Sequence, residues 1–395
     1  MQTPARSDDA ASAVDRDEVL GLAQALIAAP SENPGGTEDE AADVASAFLR
    51  DIGADPKIVR GDAGRPSVVA TIGGDAPRDL AWNGHLDTVP AGSRDTWSVD
   101  PFSGAVVDGR LIGRGACDMK GAVAAALGAA SAIRRAGINL DGSLTFHLVA
   151  DEELAGVHGT RVLRDQGILA QRLAVVGEPT DFSLGLAERG GAWITTTAYG
   201  AAAHGSRPDR GVNAITSMAR FLLRLPDVLP DIEHPLCGRP TVNAALIEGG
   251  SAPNMVPDRC EVEIDRRILP GETDRDAVLA PFHDLAYALR AEHPDVDVRS
   301  EIRDWTEAAE SPPDTEIAQA LRRASAGERG TQPPDAGFTG ITDARYYIND
   351  AAIPTVIFGP GSLGVAHTAD EWIEVDDLVQ AARVYARLFV EVLGG

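Results

Sequence analysis

The sequence predicts an α/β protein, a mixed and mostly parallel sheet sandwiched by helices, with a smaller α+β domain inserted into it. Three observations carry this prediction. Helix-type and strand-type apolar spacing alternate up to residue 190, the pattern of strands joined by crossover helices. Between residues 191 and 303 the order becomes strand, helix, strand, strand, helix, strand, which is ferredoxin-like. From 304 to 395 the first style returns, so residues 1–190 and 304–395 read as one domain and 191–303 as its insertion.

The elements follow in order. Residues 17–29 (DEVLGLAQALIAA) and 37–52 (TEDEAADVASAFLRDI) have helical periodicity, and PSENPGG between them is turn chemistry. SVVATIGG (67–74) and DLAWNGHLDTV (79–89) read as strands. MKGAVAAALGAASAIRRAG (119–137) is a small-residue helix that stops at Gly137, a residue suited to the left-handed cap. SLTFHLVADEE (143–153) is a strand, HGTRVLRDQG (158–167) a short helix and RLAVVGEPT (172–180) another strand. In the insertion, AWITTTAYG (192–200), PTVNAALIEGG (240–250), RCEVEIDRRIL (259–269) and VDVRSEI (296–302) are strands. GVNAITSMARFLLRL (211–225) and TDRDAVLAPFHDLAYALRAEH (273–293) are its helices. AAESPPD (308–314) reads as the linker back into the first domain. A helix (314–325), a strand (353–361) and a closing amphipathic helix (375–393) complete the chain.

Composition narrows the function classes. At 395 residues the chain is long for a single core. Its net charge of −25 repels nucleic acid and anionic membranes and attracts cations. Lys57 and Lys120 are its only lysines, a bias that fits either genome composition or a saline habitat. The three cysteines, Cys117, Cys237 and Cys260, form no Cys-x-x-Cys spacing, so neither a disulfide framework nor a zinc knuckle is expected. The polar N-terminus lacks a signal-peptide core, and no apolar run reaches the roughly 18 residues of a membrane span. A cytoplasmic enzyme is the expectation.

Candidate ligands gather at predicted strand ends. His85 and Asp87 close one strand (NGHLDTVP), and Asp118 (GRGACDMKG) precedes a helix. Asp151, Glu152 and Glu153 end the next strand, Glu178 (VVGEPT) another, and His367 (GPGSLGVAHTADEW) follows the last. Sites in open α/β sheets form outside the carboxyl ends of the strands. Two histidines and several carboxylates without cysteine suit Zn²⁺, with Co²⁺ or Mn²⁺ as alternatives. A bridging carboxylate among them allows two ions about 3.5–4 Å apart. His147 reads as structural and His158 as helix-start packing, while His234, His283 and His293 read as exposed. Cys117 suits a tight turn rather than a nucleophile.

These motifs, with AAAHGSRP, SAPNMVP, DRRILPGE and GITDAR, resemble the M20 family of metallopeptidases and deacylases, the group that holds acetylornithine deacetylases and succinyl-diaminopimelate desuccinylases. The resemblance implies a zinc-aminopeptidase-like catalytic domain with a lid and dimerisation domain inserted. It implies two Zn²⁺ ions, one held by His85 and Glu178, the other by Glu153 and His367, with Asp118 bridging and the Asp118–Met119 peptide cis. Asp87 would accept the second ring N–H of His85 and orient it. Glu152 would be the general base, and His204 would donate to the oxyanion from the partner subunit of a homodimer. Arg189, Asn254, Arg267 and the backbone at Gly361 would bind substrate. The implied reaction is deacylation of an N-acylated amino acid or related amine, with N-acetyl favoured over N-succinyl. A dipeptidase or carboxypeptidase of the same family is the alternative. A non-catalytic metal- or ligand-binding module is a further one, against which Glu152 argues, since a binder needs no base.

Overall fold

The acidic N-terminal stretch, to which its sequence assigns no element, is helical (α1, Thr3–Ser12). In the computed structural model, which describes residues 3–394, α2 (Arg16–Ile27) and α3 (Asp39–Asp51) follow. The Asp15 carboxylate starts α2 by accepting from the N–H groups of Asp17 and Glu18, donors that a helix start leaves without partners. Then come β1 (Lys57–Arg60), β2 (Pro66–Gly73), β3 (Asp79–His85), β4 (Ala105–Val107) and β5 (Arg110–Ile112). After them lie α4 (Lys120–Arg135), β6 (Ser143–Val149), α5 (Thr160–Asp165), β7 (Leu173–Val176) and β8 (Leu184–Glu188). The middle of the chain runs β9 (Gly190–Tyr199), α6 (Ala214–Leu223), β10 (Thr241–Gly249), β11 (Arg259–Ile268), α7 (Arg275–Glu292) and β12 (Asp297–Thr306). It closes with β13 (Ala309–Glu310), α8 (Glu316–Arg329), β14 (Asp335–Phe338), β15 (Thr355–Ile357), β16 (Trp372–Glu374) and α9 (Val375–Leu393).

Two units divide these elements. One comprises Met1–Leu186, Glu310–Phe338 and Thr342–Gly395; the other comprises Ala187–Ala309 and Thr339–Ile341. β12 runs on to Thr306, past the boundary read at 303/304.

The first unit holds a nine-stranded sheet in the order β1-β2-β6-β3-β7-β15-β8-β13, with β14 on β8. It is mixed. Its parallel core is β6-β3-β7-β15, while β1, β2 and β8 pair antiparallel at its flanks. At one flank the short link from β1 to β2 leaves no room for the crossover of about a dozen residues or more that parallel neighbours need. Trp82, Phe146, Tyr385 and Phe389 are fully buried between the sheet and α9, in edge-on and tilted contacts at 5.7–6.3 Å. Gly128 lets α2 approach α4, because a Cβ there would lie 2.4 Å from Val19. The other face is covered by a cluster that includes Leu163, Tyr347 and Ile353.

The second unit has a four-stranded antiparallel sheet, β10-β11-β9-β12. Ile264, Ile194 and Ile302 stand in register across it. α6 and α7 contribute Phe221 and Phe282 to its core. β10 is an edge strand on which Leu246 and Ile247 are 69% and 63% exposed. No helix among the described residues is long and apolar enough to cross a membrane.

Candidate metal centre

The four parallel strands deliver the site. His85 is the last residue of β3 and is 1% exposed. Its Nδ1 lies 2.9 Å from the backbone carbonyl of Asp87. A carbonyl only accepts, so Nδ1 holds a proton and Nε2 is the nitrogen left for a ligand role. Nε2 is 3.0 Å from Asp118 Oδ1 and 3.8 Å from Glu178 Oε1. Glu178 stands two residues past β7 and is buried.

Asp118 sits in the turn before α4, and its peptide to Met119 is cis. Glu371 fixes that turn, accepting from the N–H groups of Cys117 and Asp118 at 2.9 and 3.0 Å. Arg114 donates to the other oxygen of Glu371 at 2.5 Å. From the loop after β15, His367 places Nε2 3.3 Å from Asp118 Oδ2 and 3.1 Å from Glu153 Oε2. The donors thus form two sets sharing Asp118: His85, Asp118 and Glu178, and Asp118, Glu153 and His367.

Their electrostatics reflect crowded negative charge. Burial alone raises the proton affinity of Asp118, but hydrogen bonds from His367 and His85 outweigh it and hold this carboxyl well below its usual range. Hydrogen bonds to Asp118 and Glu153 push His367 up to about 10. Burial, and then the charge of Glu178, pushes Glu152 well above the ordinary carboxyl range. Glu178 is raised by burial and by Asp118, and its Oε1 is buried with no hydrogen-bond partner. Such a set fits divalent cations, which would neutralise the carboxylates and give that oxygen a partner.

Asp87 departs from the sequence reading. Its carboxylate is 3.6 Å from the His85 ring, too far for the expected hydrogen bond, and its backbone carbonyl serves the ring instead. The carboxylate is taken up elsewhere. Oδ1 accepts from Glu152 N–H at 3.1 Å and Oδ2 from Glu153 N–H at 3.2 Å. Asn33 donates to Oδ2 at 2.9 Å. Asp87 therefore holds the turn that carries Glu152 and Glu153. The expected strand through 153 stops at Val149. Asp151 and Ala155 take left-handed backbone (φ 65 and 72), and Glu152–Leu154 form one 3₁₀ turn between them.

Four sequence-predicted site residues lie in the second unit. His204 is exposed, and its Nδ1 accepts from the Ser206 N–H at 3.1 Å. Asn254 is exposed, and its backbone carbonyl accepts from the Gly205 N–H at 2.7 Å. Arg189 donates to the Cys237 carbonyl at 3.1 and 2.5 Å. Arg267 pairs with Asp265 at 3.0 Å, the ordinary partnership of a strand arginine with an acid two residues away on the same face. Gly361, in the first unit, has φ 82 and leaves room for Cys117, whose Sγ a Cβ would meet at 2.6 Å. The loop around it is tied to the chain after Glu178: Gly361 accepts from Asp181 at 2.7 Å and Gly359 donates to Thr180 at 3.2 Å.

Of the remaining histidines, His147 is buried against the Tyr347 hydroxyl at 2.7 Å, and burial lowers it to about 4. His234 is half-buried rather than exposed, because its Nδ1 accepts from the Leu236 and Cys237 N–H groups and closes a loop. Sequence reasoning passed over Glu371, Asn33, Arg65 and Asp343, the last a buried carboxylate that accepts from the Thr160 hydroxyl at 2.6 Å. Glu371 lies in the quoted ADEW and Asp343 in GITDAR, so the motifs held them without roles. Asn33 lies in the turn PSENPGG, whose composition signals only a turn.

Residues 81–391 match peptidase family M20/M25/M40. The chain is 32% identical over 347 residues to an acetylornithine deacetylase of Myxococcus xanthus, covering 85% of this chain and 86% of that protein. It is 28% identical to a probable succinyl-diaminopimelate desuccinylase of Staphylococcus epidermidis, over 95% of this chain and 97% of that one. The crystal structure of human carnosine dipeptidase 1 superposes with a TM-score of 0.78 at 18% identity, covering 98% of both chains. The chain belongs to peptidase family M20/M25/M40. It is a metal-dependent hydrolase of amide bonds.

Proposed function

We propose that the protein removes a small acyl group from an N-acylated amino acid or related amine, with Glu152 as general base. The observation that carries the reading is the pair of donor sets joined at Asp118, with Glu152 one residue from the donor Glu153 and held on the same turn. A carboxylate beside the metal-held water is placed to take its proton and release it again. His85, Asp118 and Glu178 would hold one ion, and Asp118, Glu153 and His367 a second, zinc being the metal of choice for this donor set. When bound, such ions polarise the scissile carbonyl and lower the proton affinity of water. Glu152 takes the proton of the attacking water and returns it to the departing amine. Asp87 keeps Glu152 in place through its backbone N–H.

His204 would stabilise the oxyanion from a partner subunit. Its Nδ1 is occupied by the Ser206 N–H, so the neutral ring carries its proton on Nε2, ready to donate. A homodimer through the second unit is supported by β10, an apolar edge strand that pairing with a second copy would cover. Arg189, Asn254 and the Gly361 loop would contact substrate. The relatives named above are a deacetylase and a desuccinylase, which favours acyl removal over peptide cleavage. We favour N-acetyl over N-succinyl substrates.

The test is a hydrolysis screen of N-acetyl and N-succinyl amino acids against dipeptides, using metal-reconstituted protein. Turnover of the acyl amino acids is expected, and exclusive cleavage of dipeptides would overturn the reading. Glu152→Gln is expected to lower kcat by about 100-fold or more while metal content stays unchanged.

A further inference from the structure

We propose that Asn33 and Arg65 are positioning residues for this reaction, setting through Asp87 and Asp151 where the Glu152 and Glu153 carboxylates stand. The inference rests on the reading of Glu152 as base and Glu153 as metal donor. Neither Asn33 nor Arg65 belongs to either donor set.

The connection is continuous. Asn33 Nδ2 donates to Asp87 Oδ2 at 2.9 Å and to Asp151 Oδ1 at 3.0 Å. Arg65 Nη1 donates to Asn33 Oδ1 at 2.9 Å and to Asp151 Oδ1 at 2.5 Å. The rest of the Arg65 fork holds Glu38. One guanidinium therefore fixes the amide plane of Asn33, and Asn33 fixes Asp87. Asp87 receives the two successive N–H groups of Glu152 and Glu153. Asp151 closes the same turn from its other side, accepting from His158 N–H at 2.9 Å.

Asn33, Glu38, Asp87 and Asp151 are each 2% exposed or less, so while Arg65 is in place these groups satisfy one another rather than solvent. Arg65 pairs with two buried carboxylates, Glu38 and Asp151, so the arrangement draws on it for charge as well as for geometry. The turn has left-handed backbone at Asp151, Ala155 and Gly156, a path that surrounding contacts must enforce.

The network is open on one side. A cavity of about 620 Å³ is lined by Asn33, Arg65, Asp151, Leu154 and His158. A truncated Arg65 would leave its space joined to this cavity, within reach of a small guanidinium from solution.

Arg65→Ala and Asn33→Ala test the proposal on the metal-loaded protein. We expect kcat to fall about 30- to 100-fold with KM held within about two-fold, as displacement of a catalytic group predicts. Calorimetric titration with Co²⁺ should show the ion at Glu153 and His367 bound about 10- to 100-fold more weakly, and the ion at His85 and Glu178 little changed. Millimolar methylguanidinium should restore kcat in Arg65→Ala and do nothing for Asn33→Ala. Should Arg65→Ala fail to fold, Asn33→Ala leaves the Arg65–Glu38 pair intact and carries the test. Folded variants that lose thermal stability but keep kcat and Co²⁺ affinity within about two-fold of the parent would overturn the proposal. The parent reading fails separately: active Glu152→Gln sinks the mechanism, whereas inactive Glu152→Gln beside an unaffected Asn33→Ala sinks only the positioning role.

Discussion

The two donor sets share Asp118 but are built from different material. His85 and Glu178 are buried and stand at the ends of adjacent parallel strands, whose ladder and flanking core fix them. Glu153 and His367 stand on irregular backbone. Glu153 rides a turn between two left-handed residues, and His367 has φ 62 with a side chain 50% exposed. Strand ends repeat their geometry closely, whereas loops open at lower free energy. One half of the centre is therefore held by the fold, and the other by a few local hydrogen bonds that a single substitution can remove.

The severest way to break this comparison is Asp118→Ala, which removes the donor common to both halves. Activity should fall by about 1,000-fold or more, and metal analysis should find neither ion held at its former affinity. Next, His85→Ala and His367→Ala separate the halves. Stepwise chelation of the parent protein should release the His367 ion first. His367→Ala should keep one ion, whereas His85→Ala should weaken the tighter site by about 100-fold. Release in the opposite order would show that the exposed loop, and not the strand end, is the firmer support.

A pH experiment sharpens the strand-borne half. His147 lies on β6 directly opposite Asn83, two residues before His85 on β3. Burial lowers it from 6.5 to about 4. Between those values the unfolded chain binds a proton that the folded chain refuses, so stability is lost on acidification. From pH 7 to pH 5 the loss through this one group is about 2 kcal/mol. Denaturant midpoints measured across that range should fall, and His147→Gln should flatten the decline. An unchanged slope in the variant would remove His147 as the cause.

The same contrast explains what the sequence made legible. The strand-end places of His85 and Glu178 are legible because apolar runs end abruptly on them, and a strand end aims its next residue predictably. The inserted unit was readable from element order alone, since βαββαβ leaves few ways to pair four strands. The antiparallel flanks were not, because strand direction depends on connection length rather than on apolar pattern. The role of Asp87 was misread for a related reason. His-x-Asp at a strand end suggests a contact between neighbours in sequence, whereas the carboxylate turns to N–H groups 65 and 66 residues away. Long-range partners of this kind, like Glu371 for Asp118, leave no local trace.

The smallest expected effect concerns the loop that carries His367. Asp370, itself at φ 54, accepts from the Ser98 N–H at 2.7 Å and from its hydroxyl at 3.0 Å through the same oxygen. Both groups lie toward solvent, so the pair contributes only about 1 kcal/mol to holding the loop. Asp370→Ala removes it without touching either donor set. If the loop-borne half owes its geometry to such local bonds, the His367 ion should bind about three- to five-fold more weakly, while the His85 ion and the thermal midpoint stay nearly constant. Equal weakening of both ions would mean that Asp118 transmits the disturbance, and that the two halves behave as one unit despite their different supports.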